Sequence, residues 1–363
     1  MRGKTDVLQK IFMAAIFCLT PLIMCCTQNH AVSGIAAEKV TSASPDRSEA
    51  RGKKYRKLRS EIAAADFKAR HAPVIPPQDK RIRVIIDSDT RNEIDDIWAI
   101  ALAILSPERF KIEGFVAANF DNQRGGSDGI EQSAREIETI LSKAGMAGKF
   151  PVKRGSHPMR YQYEPSESVG VDFIIERAMA GTPDDPLWII GLGASTDIAS
   201  AYLKEPRIVD RVIVFWHFRT RWPKKCYNFN VIGDIRAARL VFHSPLRFVL
   251  FDTGTYLRCP MSESEQYIKP CGELGRYLHE YRLKEAWYQR KNKGFFDLGD
   301  IAALVDPSVT KWEVVDCPEV NWYLDYEFKG SKGKILRCYD IDRDKTFKLF
   351  YDKLKSHADK TAN

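Results

Sequence analysis

"RVIIDSDTRNEIDDIWAIALAIL" (residues 83–105) sets five carboxylates, Asp87, Asp89, Glu93, Asp95 and Asp96, within ten positions and then turns apolar. The run RVII reads as a buried strand and IWAIALAIL as a helix, so the acids occupy a strand-to-helix turn. In open α/β sheets such turns lie at the carboxyl ends of the strands, where ligand crevices form. One acid at a helix start is favoured by the dipole and can cap free N–H groups, which accounts for Asp95 or Asp96 alone. Asp87 and Asp89 need another reason. Carboxylates crowded on one loop repel unless a cation sits among them, and an all-oxygen donor set suits Ca²⁺, with Mg²⁺ second, rather than zinc.

Outward from this stretch, short apolar runs alternate with helix-period segments. Strands are expected at 83–86, 112–118, 187–192, 211–216 and 247–251, and helices at 95–105, 129–143, 169–180, 196–204 and 234–243. Strands apolar on both faces and separated by helices predict an α/β fold: an open, mostly parallel sheet with helices on both faces. Beyond residue 260 helices are expected at 273–291, 297–305 and 344–356, with a late hairpin of 319–328 against 332–341. This makes one α/β domain over 81–358 with a C-terminal helical and hairpin extension.

The chain has 363 residues, 44% of them hydrophobic, enough for a substantial core. Its net charge of +8 is an N-terminal property: residues 1–80 hold 14 Lys/Arg against 7 Asp/Glu, and residues 81–363 hold 42 against 41. A near-neutral body without a basic stripe argues against a nucleic-acid partner. Residues 1–30 read as a signal peptide or lipoprotein leader, with Arg2, Lys4 and Lys10 ahead of the apolar run 11–26. Export is therefore expected, to the periplasm, the exterior or a membrane tether, with Cys25 or Cys26 as candidates for lipidation. Residues 31–80 read as a basic, Pro/Ala-rich linker. Five cysteines remain outside the leader, and only Cys259 and Cys271 suggest a disulfide.

Two family patterns fit the acidic turn. The strand-borne DxD of "VIIDSDT" resembles haloacid-dehalogenase-type phosphatases, in which Asp87 would be the nucleophile. That family has Thr or Val where this chain has Arg91. The better match is to the nucleoside hydrolase family of inosine-uridine-preferring type, whose Asp-Thr-Asp-Pro-Gly-x-Asp-Asp signature is similar to "DSDTRNEIDD" (87–96) with a loop two residues longer. Its other landmarks follow in order. "LGASTD" (192–197) resembles the turn that lends a carbonyl to calcium, here from Leu192. "NFNVIGDIRAARLVF" (228–242) resembles the ribose-binding segment, with Asn230 on the ribose-binding Asn and Asn228 replacing a Glu. "FDLGDIAALVDPS" (296–308) resembles the closing segment, with Asp297 as metal and ribose ligand and Phe296 replacing a His. The segment "AANFDN" (117–122) carries a further ribose-contacting Asn, Asn122 in the favoured register and Asn119 in the other.

The resemblance implies Ca²⁺-dependent hydrolysis of the N-glycosidic bond of ribonucleosides or a related N-riboside. Asp89, Asp96, Asp297 and the Leu192 carbonyl would hold the cation, and Asp95 would serve as general base. Asn122, Asn119, Asn228 and Asn230 are the candidate hydroxyl ligands. Trp216, with Trp222 and Tyr227, is a candidate for stacking on the base, and His217 a candidate acid that replaces the missing His at Phe296. Relatives form dimers or tetramers, so a homo-oligomer is the corresponding expectation. A relative that binds ribose without turnover is the alternative reading.

Overall fold

The run at 83–86 forms strand β1 (Ile82–Ser88), buried along its whole length. Its side chains alternate across the pleat: Val84 and Ile86 enter one hydrophobic cluster and Ile85 the other, which is why the run is apolar at each of these three positions. The remaining strands are β2 (Phe110–Ala117), β3 (Val152–Arg154), β4 (Leu187–Gly191), β5 (Val212–Phe218), β6 (Phe248–Asp252), β7 (Arg258–Cys259), β8 (Lys293–Gly294), β9 (Thr310–Asp316), β10 (Glu319–Val320), β11 (Tyr326–Glu327) and β12 (Lys334–Ile341). The helices are α1 (Pro45–Ala64), α2 (Asp95–Ile104), α3 (Gly129–Lys143), α4 (Val169–Met179), α5 (Thr196–Lys204), α6 (Phe229–Gly233), α7 (Ile235–His243), α8 (Met261–Glu263), α9 (Gly272–Tyr281), α10 (Leu298–Val305) and α11 (Arg343–Thr361). This computed structural model describes residues 45–64, 70–290, 293–329 and 332–362, and the leader at 1–30 lies outside them. No helix among the described residues is long and apolar enough to cross a membrane.

Eight strands form one sheet in the order β3-β2-β1-β4-β5-β6-β12-β9, parallel throughout except for the final β12–β9 pair. The chain runs outward from β1 through β2 to β3, then returns to β4 on the other side of β1, so the strand order reverses between β1 and β4. At this switch point Asp87 pairs with Gly191, and the Leu192 N–H donates to the Asp87 carbonyl at 2.8 Å. The acidic turn after β1 and the turn after β4 therefore leave the sheet side by side, opening a crevice between them.

Helix α2 explains its own position. All ten of its residues are buried, and it packs against α10 within the cluster that also takes Phe347 and Phe350 of α11. Trp98 stacks on Phe295 with ring centroids 3.7 Å apart. Both α2 and α10 thus start beside the crevice, with the positive ends of their dipoles toward it.

Three expectations change. The strand at 332–341 does not pair with 319–328: β12 pairs with β6 and β9, while β10 and β11 make a small ribbon of their own. The reason is two-faced burial, since Ile335 enters one cluster and Leu336 and Cys338 the other. The helix expected over 273–291 stops at Tyr281, and turns carry the chain so that Tyr288 is buried beside Trp287 at 4.2 Å. Ahead of residue 81, Leu58 and Ile62 join the core. Arg70, 2% exposed, donates to the carbonyls of Leu246 at 2.7 Å and Val241 at 3.0 Å, and to those of Phe242 and Ser244. All five cysteines outside the leader are buried free thiols, so Cys259 and Cys271 are not bonded to each other.

Candidate active site

The crevice opens into a cavity of about 550 Å³. Its floor is acidic. Asp89, Asp95 and Asp96 reach it from the β1–α2 turn, and Asp297 from the start of α10. Asp95, Asp96 and Asp297 each present an oxygen to a common point, the three oxygens lying within 4.8 Å of one another. Asp89 lines the same cavity but is not part of that tightest group. Asp297 occupies the cap position of α10 yet makes no capping hydrogen bond, so helix capping does not account for it.

These acids are held against their own preference. Burial, then the charges of Asp95, Asp96, Asp300 and Asp89, pushes the Asp297 carboxyl well above the ordinary Asp range. Burial and the charges of Asp89 and Asp95 do the same to Asp96. Asp89 is pushed to about 7, chiefly by burial, although the Asn92 amide donates to it at 2.9 Å. Asp95 Oδ2 accepts from the Phe296 N–H at 3.1 Å, while Asp95 Oδ1 and Asp297 Oδ1 are buried without a hydrogen-bond donor. Lys293, nearly buried, is spent on Glu93 at 2.8 Å. Buried, mutually repelling, unmatched oxygens are what a hard divalent cation would satisfy, and the donor set is oxygen only. The group fits a metal.

The other sequence-predicted residues divide. Leu192 lines the cavity, and Asn230 beside it donates to the Leu192 carbonyl at 2.8 Å and to the His217 carbonyl at 3.3 Å. Asn122 lines the cavity and is held by its bond to the Gly233 carbonyl at 2.8 Å. Asn119 does not reach the cavity: fully buried, it donates to the Ser156 carbonyl and to Thr196. Asn228 reaches the rim, but its Oδ1 caps α6 by accepting from Val231 N–H at 2.8 Å. His217 and Phe296 line the cavity. His217 Nδ1 is hydrogen-bonded to Asp300 at 2.6 Å, so that ring nitrogen is spent on Asp300, and it lies 3.1 Å from Asp297 Oδ1 without a hydrogen bond to it.

Trp216 is not in the cavity. Successive β5 side chains alternate between faces, so Trp216 falls into the opposite cluster, packing on Phe218 at 4.4 Å and donating to the Gly193 carbonyl at 3.0 Å. Trp222 packs on Tyr326, and Tyr227 is exposed away from the cavity. The aromatic wall is instead Phe229, Trp287 and Phe296. Trp287 and the arginines Arg124, Arg219 and Arg290 also line the cavity and were missed in sequence. Arg219 follows the last residue of β5, so its place at a strand's carboxyl end was the available signal. Asp87 is 1% exposed and does not line the cavity, which removes the nucleophile the phosphatase pattern requires.

The family model described as inosine-uridine preferring nucleoside hydrolase matches residues 84–348. An inosine-uridine preferring nucleoside hydrolase of Leishmania major is 25% identical over 322 residues, covering 76% of this chain and 98% of the relative. Among solved structures, a plant nucleoside hydrolase, the PpNRh1 enzyme, is similar with a TM-score of 0.61 at 18% identity, covering 76% of this chain and all of that one. A purine-preferring ribonucleoside hydrolase from Gardnerella vaginalis gives 0.60 at 19% identity, covering 76% of this chain and 99% of its own. The family match spans well over half of the sequence and encloses every acid of the cavity floor, and the chain belongs to the inosine-uridine preferring nucleoside hydrolase family, hydrolases acting on N-glycosyl compounds.

Proposed function

We propose that the protein hydrolyses the N-glycosidic bond of ribonucleosides or a closely related N-riboside in a Ca²⁺-dependent reaction, releasing ribose and the free base. The observation that carries this is the convergence of buried Asp95, Asp96 and Asp297, with unpartnered oxygens on Asp95 and Asp297, from the starts of two helices onto one point. Asp96, Asp297 and the Leu192 carbonyl, with one of Asp89 and Asp95, would hold the cation. A hard divalent ion there supplies positive charge that acidifies and orients a water and takes up sugar hydroxyls.

The chain's own groups supply the rest. Cleavage builds positive charge on the sugar ring, which the surrounding carboxylates stabilise. Water adds its hydroxyl to C1′, the C1′–N bond breaks toward the base, and a carboxylate carries the remaining proton to the departing nitrogen. The sequence pattern gave that base role to Asp95. The tight Asp95–Asp96–Asp297 grouping favours a second assignment, in which Asp95 is a ligand and Asp89, outside the grouping, takes the proton. Asn230, whose Oδ1 accepts no hydrogen bond from the described residues, and Asn122 bind ribose hydroxyls. Phe229, Trp287 and Phe296 flank the base.

In this reading the first 30 residues export the enzyme, with Cys25 or Cys26 available for acylation. The test is release of reducing sugar from a panel of purine and pyrimidine nucleosides, with and without chelator. Chelator-sensitive, calcium-restored release is expected. Tight nucleoside binding without release would instead identify a non-catalytic relative. Asp89→Asn and Asp95→Asn separate the two base assignments: the base variant loses roughly a hundredfold or more in kcat while still taking up calcium.

A further inference from the structure

The hydrolysis described above gives no task to the arginines that line the cavity, of which Arg219 is the least exposed. Arg219 follows β5 at the carboxyl end of the sheet, lines the cavity, and is half-buried. Its guanidinium carbon lies 3.6 Å from the ring centroid of Phe296, whose backbone N–H holds Asp95 and which precedes Asp297 in the chain. The adjoining backbone is fixed, because Thr220 donates to Asp252 through its N–H at 2.7 Å and its hydroxyl at 2.9 Å. Asp252 is in turn matched by Arg337 at 2.8 Å and so does not neutralise Arg219. Among the described residues Arg219 takes part in no ion pair; its partner is the aromatic ring.

The same rim carries Arg124, 4.9 Å over the Trp287 ring and bonded to Asn92 Oδ1 at 3.1 Å, and the exposed Arg290. The cavity is therefore bipolar, carboxylates on the floor and guanidiniums at the mouth. A neutral nucleoside has polar groups for the floor, but it offers an unmatched, pre-positioned guanidinium only neutral acceptors and no charge to pair with. A planar donor fork held against an aromatic ring is suited to a phosphate or carboxylate.

We propose that the physiological substrate is an N-riboside carrying an anionic group, and that Arg219 pairs with that group while the floor holds the ribose. The anion is either a phosphate on the ribose 5′ oxygen or a carboxylate on the base. This inference rests on the hydrolase reading for the placement of the ribose, so its test measures binding as well as turnover.

The full chain, supplied with calcium, is compared on inosine against inosine 5′-monophosphate and on uridine against orotidine, by kcat/KM and by calorimetric affinity. At least one anionic riboside is expected to exceed its neutral parent by about tenfold or more. Arg219→Gln is expected to erase that ratio and Arg219→Lys to keep part of it, with circular dichroism showing both folded. Preference for the monophosphate assigns the anion to the 5′ position, and preference for orotidine assigns it to the base. Equal affinity for charged and neutral partners, or an Arg219→Gln variant that weakens both alike, overturns the proposal, the second outcome making Arg219 a mere counter-charge to the floor. If nothing is cleaved, the hydrolase reading fails, and the affinity ratios still decide this one.

Discussion

Replacing Asp89 with Asn should stabilise the metal-free protein while weakening the calcium-loaded one, and the size of the first effect follows from the structure. Burial holds the Asp89 carboxyl at about 7 in the fold, against 3.8 for an ordinary Asp. A raised acid stabilises the fold below its unfolded pKa, and that stability is lost as pH rises through the folded value, here a window from 3.8 to about 7. Across it, the Asp89 carboxyl contributes roughly 2 kcal/mol less stability at about pH 7 than at about pH 5. Buried His243, lowered to about 4, works in the opposite direction over part of this range, so the raw stability profile mixes both. The difference between wild type and the Asp89→Asn variant cancels it. In chelator, the melting-temperature advantage of the variant should therefore grow by about 4 °C between about pH 5 and 7. With saturating calcium the order should reverse, because the cation stabilises a carboxylate floor more than one with an amide. Differential scanning calorimetry at both pH values, with and without metal, gives all four numbers. A wild-type-to-variant difference that is flat with pH in chelator would refute the claim that Asp89 is buried and repelled in the metal-free fold.

Two further outcomes test how the site is supported. Arg70→Ala removes a shared buried donor from the carbonyls of Val241, Phe242, Ser244 and Leu246, and should cost on the order of 3 kcal/mol in urea unfolding, although Arg70 lies outside the region that the sequence assigned to the domain. Trp287→Ala should raise KM for a cleaved nucleoside by about tenfold through loss of the aromatic wall, whereas Trp216→Phe, acting within the core, should lower stability and leave KM within about twofold.

The pairing of calcium-type donors with an unpaired arginine in one cavity bears on specificity. Carboxylates that repel one another are tolerable only where a ligand relieves them, and the strain they impose on the empty fold is the counterpart of affinity for that ligand. The same logic applied to Arg219 gives a substrate with sugar hydroxyls at one end of its contact surface and an anionic group at the other. A neutral nucleoside satisfies only half of that arrangement.

Much of the site was legible because its signals are local. The strand, the acidic turn and helix α2 follow from apolar periodicity and helix-start preferences within 25 residues, and the landmarks at Leu192, Asn230 and Asp297 keep their order along the chain. Elsewhere local pattern was not enough. Asn119 and Asn122 are three residues apart in one loop, and only the path of the chain after β2 sends Asn122 into the cavity and buries Asn119. Trp216 and His217 are adjacent in sequence, and the pleat sends them to opposite faces.

The sequence by itself determined the α/β class, the position of the acidic turn at the mouth of the sheet, and the family to which that turn belongs, because each depends on residues close together in the chain. Tertiary structure alone decided which carboxylates share a point, that Trp287 and Arg219 face the same cavity, and that β12 completes the sheet between β6 and β9. Those outcomes depend on strand order, pleat parity and the burial of distant apolar faces against one another. None of these is expressed in the spacing of neighbouring residues.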